Sequence, residues 1–332
     1  MPFLQVVELV KHFPVQRSLI EQLFSRKQLF VKAVDGVSFT LEKGDIYGLV
    51  GESGSGKTTT GRLTLGLIQP TSGRVIVDGV DIGRLSPGEL RTYRKKMQII
   101  FQDPTASLNP KMRVGDAVAD AVKLLTGADQ EEAVRRVYEI FEYVGLTPPQ
   151  EFYGRYPHNL SGGQKQRVVI ARALVTRPEY VVADEPVAMV DVSVRAQILD
   201  VMKKMHERLG LTYLFITHDL AVAKYLCNRL AIMYLGKISE MGEARDIFRL
   251  PLHPYTQALL SSVPVPDPRA ARAKKIPRGE IPNAINPPSG CRFHPRCPYA
   301  TELCRTEEPQ LRRVDASRPD HLLACHWAEK FL

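Results

Sequence analysis

The chain has no long hydrophobic run. None of its 332 residues lies in a stretch that approaches the roughly 18 to 20 consecutive apolar residues of a membrane-spanning helix. The N-terminal residues 1–5 (MPFLQ) also do not begin a positively charged segment with an apolar core behind it, so we expect no secretory signal. Both absences favour a chain that stays in the cytoplasm.

The basic residues lack the arrangement that nucleic-acid binding requires. The formal net charge is +9, yet the lysines and arginines are scattered, are not interleaved with aromatic residues and match no RNA- or DNA-binding module. A surplus of this kind is typical of a solvated surface or of a protein that works near an anionic membrane face. We therefore expect no nucleic-acid partner.

Strand-like and helix-like segments alternate along most of the chain. The apolar or alternating runs typical of strands are residues 4–10, 37–41, 46–50, 73–81, 180–183 and 211–217. The segments with helical spacing of apolar residues are 59–67, 114–144, 167–174 and 194–209. This alternation predicts an α/β fold with a mostly parallel sheet that is covered on both faces.

The composition changes near Pro251. Prolines become frequent beyond this point, and four of the five cysteines lie there. We expect a domain at residues 1–250 and an extension at 251–332 that is too poor in apolar periodicity to be held by a core of its own. Within the first domain, the weakly patterned residues 14–30 predict an excursion on the surface.

A glycine-rich loop follows the third predicted strand. Residues 51–58 read GESGSGKT, which fits the phosphate-binding pattern G-x-x-x-x-G-K-[ST] between a strand and a helix. Glycines let backbone N–H groups surround a β-phosphate, Lys57 reaches the β- and γ-phosphates, and the Thr58 hydroxyl ligates Mg²⁺. The residues predicted to bind ATP here are Gly51, Ser53, Gly54, Ser55, Gly56, Lys57, Thr58 and Thr59.

Two further patterns contain the other residues that an ATP-hydrolysing site needs. The apolar strand 180–183 runs into Asp184, which can hold the metal ion through water, and Glu185, which can polarise the attacking water. If the strand continues, these two side chains point in opposite directions. Residues 160–164 read LSGGQ, a polar turn that opens a helix and so makes a second anion site. Because Lys57 already occupies one side of the nucleotide, we expect this second site to act across an interface.

The order of these motifs across roughly residues 4–250 resembles the nucleotide-binding subunit of an ABC transporter. The resemblance implies a P-loop ABC ATPase domain with a mixed sheet and a helical subdomain at about 103–176. It makes residues 51–58 the Walker A loop, Asp184 the Walker B acid and Glu185 the catalytic glutamate. The remaining implied roles fall on Gln102 (sensing of metal and membrane subunit), Ser161, Gly162, Gly163 and Gln164 (signature closing on a partner's ATP), Asp191 (D-loop) and His218 (switch histidine at the γ-phosphate).

Two assignments within this resemblance are less direct. Phe13 is the candidate for the aromatic that stacks on adenine, although a core residue at a strand end fits the sequence as well. The family's D-loop commonly reads Ser-Ala-Leu-Asp, whereas this chain has Ala188 at the first position and keeps only the aspartate. The hydroxyl is therefore missing from the contact that couples two ATP sites.

The cysteines beyond residue 250 suggest a metal or an iron–sulfur centre. Disulfides are not expected in a cytoplasmic chain, but the spacing of Cys291, Cys297, Cys304 and Cys325 matches neither ferredoxins nor zinc ribbons. In a zinc alternative the substitute ligands are His294, His321 and His326. The fifth cysteine, Cys227, is interpreted as a plain buried residue.

The extension also resembles the C-terminal region of the oligopeptide, dipeptide and nickel importer ATPases. The resemblance rests on residues 253–260 (HPYTQALL) and 286–298 (NPPSGCRFHPRCP), and it implies a [4Fe–4S] cluster on the four cysteines. It further implies a motor that uses ATP and Mg²⁺ to power import of di- and oligopeptides, with oligosaccharide or nickel import as the alternative.

The partners follow from the same resemblance. They are a second, related but non-identical ATPase subunit, two transmembrane permease subunits that dock near residues 102–118, and an extracytoplasmic substrate-binding protein. The chain would be peripheral, on the cytoplasmic face of the membrane. A soluble ABC ATPase that acts on DNA or ribosomes would need a coiled coil or a second cassette, and neither is seen. For the alternative function of a redox or sensor protein, the only support in the sequence is the group of cysteines beyond residue 250.

Overall fold

The structure is a computed structural model that describes residues 2–15, 28–263, 279–280 and 282–331. The strands are β1 (Leu4–Pro14), β2 (Phe30–Leu41), β3 (Ile46–Val50), β4 (Ser72–Val77), β5 (Val80–Asp81), β6 (Met97–Ile100), β7 (Tyr180–Asp184), β8 (Thr212–Thr217), β9 (Arg229–Tyr234), β10 (Lys237–Glu243), β11 (Arg312–Arg313) and β12 (Leu322–Leu323). The helices are α1 (Lys57–Thr64), α2 (Pro87–Tyr93), α3 (Pro104–Ser107), α4 (Val114–Thr126), α5 (Gln130–Tyr143), α6 (Pro149–Tyr153), α7 (Gly162–Leu174), α8 (Val192–Leu209), α9 (Leu220–Leu226), α10 (Ala244–Arg249), α11 (Pro254–Ser262) and α12 (Glu302–Thr306).

The chain forms two units. The first contains residues 1–41, 47–83 and 217–332, and the second contains residues 42–46 and 84–216. Residues 16–27 of the expected surface excursion and residues 264–278 of the proline-rich stretch lie outside the described residues. The division into 1–250 and 251–332 stays a prediction.

An antiparallel sheet in the first unit was not expected from the sequence. Its strand order is β2-β1-β4-β5, and Leu4 faces Leu41 on one side and Val77 on the other. Strands β4 and β5 are joined by Asp78 and Gly79, both with positive φ (49° and 78°), which is the geometry of a tight hairpin. The expectation of a mostly parallel sheet is therefore wrong for this part, because β1 pairs antiparallel with β2 and β4, two strands that are distant from it in the sequence.

The first unit also carries the strands in the order β11-β12-β10-β9-β3. Strand β3 runs parallel to β9, while β9, β10, β12 and β11 pair antiparallel. Every residue of β3 is buried, as its continuous apolar run predicts. Residues 51–58 follow directly after this strand.

The second unit has three parallel strands in the order β8-β7-β6. Strands β7 and β8 are completely buried, so the parallel prediction is correct here. The helical stretch 114–144 holds two helices, because Gly127 ends α4 in a left-handed conformation (φ 74°) and the Asp129 carboxylate caps α5. Among the described residues, no helix combines the length and hydropathy needed to cross a bilayer.

A buried carboxylate anchors the C-terminal segment, residues 251–331, within the first unit. Glu240 on β10 is fully buried and accepts hydrogen bonds from the backbone N–H of Leu252 (2.9 Å) and of His253 (3.0 Å). Its Oε1 also lies 2.7 Å from Nε2 of His321, whose side chain is 1% exposed. A small apolar cluster of Leu252, Leu323 and Ala328 adds to this anchor. The segment is thus held by the hydrogen bonds to Glu240 as well as by apolar packing. The sequence did not predict these hydrogen bonds.

Candidate functional site

The loop 51–58 holds its lysine close to its own backbone. Nζ of Lys57 donates to the carbonyl oxygens of Gly51 (2.7 Å) and Glu52 (2.9 Å), and lies 3.4 Å from Oγ of Ser55. The side chains of Ser55 and Lys57 are almost fully buried. Helix α1 begins at Lys57, two residues earlier than predicted, because the left-handed Gly56 serves as its N-cap. The helix N-terminus and the lysine therefore act at one place, as an anion site requires.

Two of the loop glycines have no room for a side chain. A Cβ at Gly51 would lie 2.1 Å from the carbonyl oxygen of Met233, and one at Gly56 would lie 2.1 Å from that of Ala33. Gly56 also has φ of 103°, which L-residues rarely adopt. The backbone of Ser55 is fixed by a 2.9 Å hydrogen bond from the N–H of Gly236. The loop conformation is thus fixed by neighbouring backbone.

The second loop residue, Glu52, is bonded by two residues of the C-terminal segment. Arg296 donates Nη1 and Nη2 to the two carboxylate oxygens of Glu52 (2.7 and 3.1 Å), and the Glu52 N–H donates to the hydroxyl of Tyr255 (2.9 Å). The sequence did not predict the contacts between these three residues. No local signal could have linked them, because Glu52 occupies an unspecified position of the motif and Arg296 follows 244 residues later.

The acidic pair of the second unit lies at the end of β7. Asp184 is buried and is the last strand residue, whereas Glu185 has left the strand with φ of 46°. The two carboxylates therefore do not follow the simple alternation expected of a continued strand. Nε2 of Gln102 lies 3.2 Å from Oε2 of Glu185, so the structure brings these two predicted residues together. A non-glycine residue with positive φ stores strain of the kind found at functional sites.

The LSGGQ stretch forms the N-terminus of α7. Ser161 and Gln164 make a reciprocal capping box: the Gln164 N–H donates to Oγ of Ser161 (3.3 Å), and the Ser161 N–H donates to Oε1 of Gln164 (3.0 Å). A Cβ at Gly163 would lie 2.6 Å from Cγ1 of Val194, which explains this glycine as a close approach to α8. Ser161 and Gly162 are exposed.

The remaining predicted residues lie on exposed positions. Asp191 is the N-cap of α8, and its neighbours Met189 and Val192 are 62% and 77% exposed. His218 is exposed just after β8. Phe13 lies on β1 with 36% of its surface exposed and with Nζ of Lys11 5.1 Å from the ring centroid, so the alternative of a core residue does not hold.

The four C-terminal cysteines share one small cavity. Cys291, Cys297, Cys304 and Cys325 all line a cavity of about 20 Å³, together with aromatic residues and with His294 and His326. None of the described cysteines is in a disulfide. Burial raises the pKa of Cys291 to about 12 and that of Cys325 to about 11.

The cavity is not arranged as a finished metal site. Within the described part of the chain, no three or more His, Cys, Asp or Glu side chains are grouped as a metal would need. The donor chemistry nevertheless fits iron–sulfur or zinc, because the cavity lining offers thiols and imidazoles and no carboxylate. His321 does not line the cavity and is instead bonded to Glu240, so its part in the zinc alternative is wrong. Cys227 is buried as expected, and burial raises its pKa strongly.

The predicted site residues fall into distinct sets. In the first unit are Phe13, Gly51, Ser53, Gly54, Ser55, Gly56, Lys57, Thr58, Thr59, His218 and the four cysteines; in the second are Gln102, Ser161, Gly162, Gly163, Gln164, Asp184, Glu185 and Asp191. Contacts within a set join the loop to its lysine, Gln102 to Glu185, and Ser161 to Gln164.

Comparison with protein families and curated proteins gives matches over nearly the whole chain. The model of the ABC transporter family matches residues 34–188, and that of the oligopeptide/dipeptide transporter C-terminal region matches residues 239–304. A putative peptide import ATP-binding protein of Brucella ovis is 46% identical over 98% of this chain and 97% of its own length. The oligopeptide transport ATP-binding protein AppF of Bacillus subtilis is 45% identical over 97% and 96%.

Solved structures give the same picture for the cassette. A dimeric ATP-binding cassette in a post-hydrolysis state with ADP and phosphate is 28% identical, with a TM-score of 0.63, and the match covers 73% of this chain and 99% of that one. The protein cbiO1 of Clostridium perfringens, part of an ABC transporter complex, is 26% identical with a TM-score of 0.63, over 75% and 91% of the two chains.

Proposed function

Because this chain belongs to the ABC transporter family and is an ATPase of its oligopeptide/dipeptide branch, we propose that it powers the import of di- and oligopeptides across the cytoplasmic membrane. The observation that carries the proposal is the loop 51–58, whose lysine is buried at the start of α1. The near full-length likeness to proteins described as peptide import and oligopeptide transport ATP-binding proteins supports the cargo class.

Nucleotide binding is assigned to the loop. The backbone of residues 53–56 would surround the β-phosphate, Lys57 would neutralise the β- and γ-phosphates, and the Thr58 hydroxyl would be a ligand of Mg²⁺. Asp184, buried at the end of β7, would be a water-mediated ligand of Mg²⁺. Phe13 stacks on adenine, a role that its exposed ring on β1 permits.

Hydrolysis is assigned to Glu185, Gln102 and His218. Glu185 polarises the attacking water, and the strained backbone that takes it out of the line of β7 supports a role beyond packing. Gln102 lies within reach of this carboxylate and can report the state of the site to a neighbouring subunit. His218 contacts the γ-phosphate and stabilises the charge that develops there.

A second ATPase chain completes the motor. The exposed Ser161 at the start of α7 supports a signature that closes on the partner's ATP. The exposed apolar side chains of Met189 and Val192 beside Asp191 fit an interface with that partner. We assign the partner to a related, non-identical subunit, the docking of two permease subunits to residues 102–118, and cargo delivery to an extracytoplasmic binding protein. The chain then lies on the cytoplasmic face of the membrane.

The C-terminal cysteines are proposed to hold a [4Fe–4S] cluster. Convergence of Cys291, Cys297, Cys304 and Cys325 on one cavity and the absence of carboxylates from its lining support this donor set. A bound cluster would cross-link a loop-rich segment. Iron and acid-labile sulfide quantitation, with a visible spectrum of anaerobically purified protein, tests the assignment. Stoichiometric zinc without iron would contradict it.

The transport proposal is tested with the assembled importer in vesicles. Uptake of a labelled tripeptide should depend on ATP and disappear in Lys57→Ala, whereas Lys203→Ala, a lysine of α8, should transport normally. ATP-dependent uptake of nickel or of an oligosaccharide, without peptide uptake, would overturn the peptide assignment and leave the motor role intact.

A further inference from the structure

The phosphate loop contains an acidic side chain. Glu52 is the second residue of the motif, and its own carbonyl oxygen accepts a 2.9 Å hydrogen bond from Nζ of Lys57. A carboxylate in a loop that binds a triphosphate repels the ligand unless a cation neutralises it, since like charges a few ångströms apart interact strongly near a protein surface. The loop therefore needs a counter-charge for Glu52 other than Lys57, whose charge serves the phosphates.

Arg296 supplies that counter-charge. Its guanidinium bonds both carboxylate oxygens of Glu52 at 2.7 and 3.1 Å, which is the two-pronged geometry of the strongest ion pairs. The Arg296 side chain is 9% exposed and that of Glu52 is 24% exposed. A pair this shielded is weakly screened by salt, and loss of one partner leaves the other uncompensated.

The arginine is held firmly in place. Its guanidinium lies 5.8 Å from the ring centroid of Tyr234 and 5.9 Å from that of Phe293, within the range of cation–π attraction. Its backbone N–H donates to the carbonyl oxygen of Phe293 (3.0 Å). The position of the charge, immediately before Cys297, is therefore set by Tyr234 of β9 and by Phe293 of the C-terminal segment.

A second residue of the same segment acts on the same loop residue. Tyr255 is fully buried, and its ring packs at a tilt against those of Tyr234 and Phe293, with centroid distances of 4.7 and 5.3 Å. Its hydroxyl accepts a hydrogen bond from the N–H of Glu52 at 2.9 Å. The backbone and the side chain of Glu52 are thus both fixed by residues that follow the cassette in the sequence.

We propose that Arg296 is a positioning residue for ATP binding, which acts by neutralising Glu52 in the phosphate loop. The C-terminal segment is then a working part of the nucleotide site and not an appendage. This proposal rests on the assignment of residues 51–58 to ATP, and it adds a residue that lies outside the nucleotide-binding motifs.

The test is a charge-rescue experiment on the full chain with MgATP as the probe. Arg296→Met leaves the Glu52 carboxylate unpaired, so the Kd for MgATP in calorimetry should rise about tenfold or more. Adding Glu52→Gln removes the repulsion and should restore the Kd to within about threefold of the wild type. Arg305→Met removes an exposed arginine of the same segment, whose guanidinium is 3.8 Å from Glu302, and should change nothing.

Turnover separates this role from a general structural one. In the assembled importer, Arg296→Met should raise the KM for ATP by the same factor and change kcat by less than about twofold, because the charge acts on binding. If Arg296→Met alone does not fold, the Glu52→Gln variant is compared with the double variant Glu52→Gln/Arg296→Met. The Kd for MgATP of these two chains should differ by less than about threefold.

The outcomes are distinct. An unchanged Kd in a folded Arg296→Met chain, or a double variant as weak as Arg296→Met alone, would overturn the inference. A tenfold loss on removing Arg296 in the Glu52→Gln background would do the same. A wild-type chain that binds no MgATP would instead overturn the assignment of the loop itself.

Discussion

The phosphate loop and the C-terminal segment are fixed by different interactions. In the loop, Lys57 bonds carbonyl oxygens only five and six residues away. In the C-terminal segment, Arg296 reaches Glu52 across 244 residues and His321 reaches Glu240 across 81. A local motif can therefore be recognised in the sequence, whereas contacts between charged residues that are distant in the sequence cannot.

The largest effect expected in this comparison is on the loop. Gly56→Ala forces a Cβ to within 2.1 Å of the carbonyl oxygen of Ala33 at φ of 103°. We expect MgATP affinity to fall about 100-fold or more and stability by about 2–3 kcal/mol, measured by calorimetry and urea unfolding. Gly88→Ala, at a glycine with open space in α2, is the matched control. Unchanged binding in Gly56→Ala would show that the loop is not rigidly fixed.

The next effect concerns the anchor of the C-terminal segment. Glu240→Gln removes the charge from a buried group that accepts three hydrogen bonds, so we expect a loss of about 2–4 kcal/mol in the free energy of unfolding. Limited proteolysis should then cut residues 251–331 faster. Glu243→Gln, at a side chain 51% exposed, should be neutral. Equal stability of both variants would contradict the anchoring role.

The smallest effect probes the hydrogen bond between the two regions. Tyr255→Phe removes the acceptor of the Glu52 N–H but keeps the ring packing, so the free energy of MgATP binding should weaken by about 1 kcal/mol, roughly fivefold in Kd. Tyr299→Phe, at a tyrosine 44% exposed, serves as the control. If both variants bind MgATP with the same affinity, Tyr255 does not contribute, and the C-terminal segment acts on the phosphate loop through Arg296 alone.

Much of the cassette could be predicted from the sequence because its signals are local. The resemblance to an ABC transporter ATPase and the fold class are confirmed by the comparisons. The buried strands β3 and β7 follow from continuous apolar runs. The antiparallel sheet did not follow, because its pairing depends on which distant strands meet.

The site shows the same limit. The pattern in residues 51–58 fixes the place of the lysine, but the contacts of Glu52 could not be predicted because that position is unspecified in the motif. The positive φ of Glu185 was also missed, since backbone strain at a non-glycine residue leaves no compositional signal. The role of His321 as a partner of Glu240 depends equally on a long-range contact.

The most direct test of the account is hydrolysis by Glu185→Gln. The substitution keeps the side-chain volume and removes the carboxylate that polarises water, so MgATP binding should stay within about threefold while turnover falls about 100-fold or more. The ATP-bound variant should also persist as a dimer with its partner ATPase in size-exclusion chromatography, and Glu151→Gln, at an exposed glutamate of α6, should behave as the wild type. A Glu185→Gln chain that hydrolyses ATP at the wild-type rate would contradict the account.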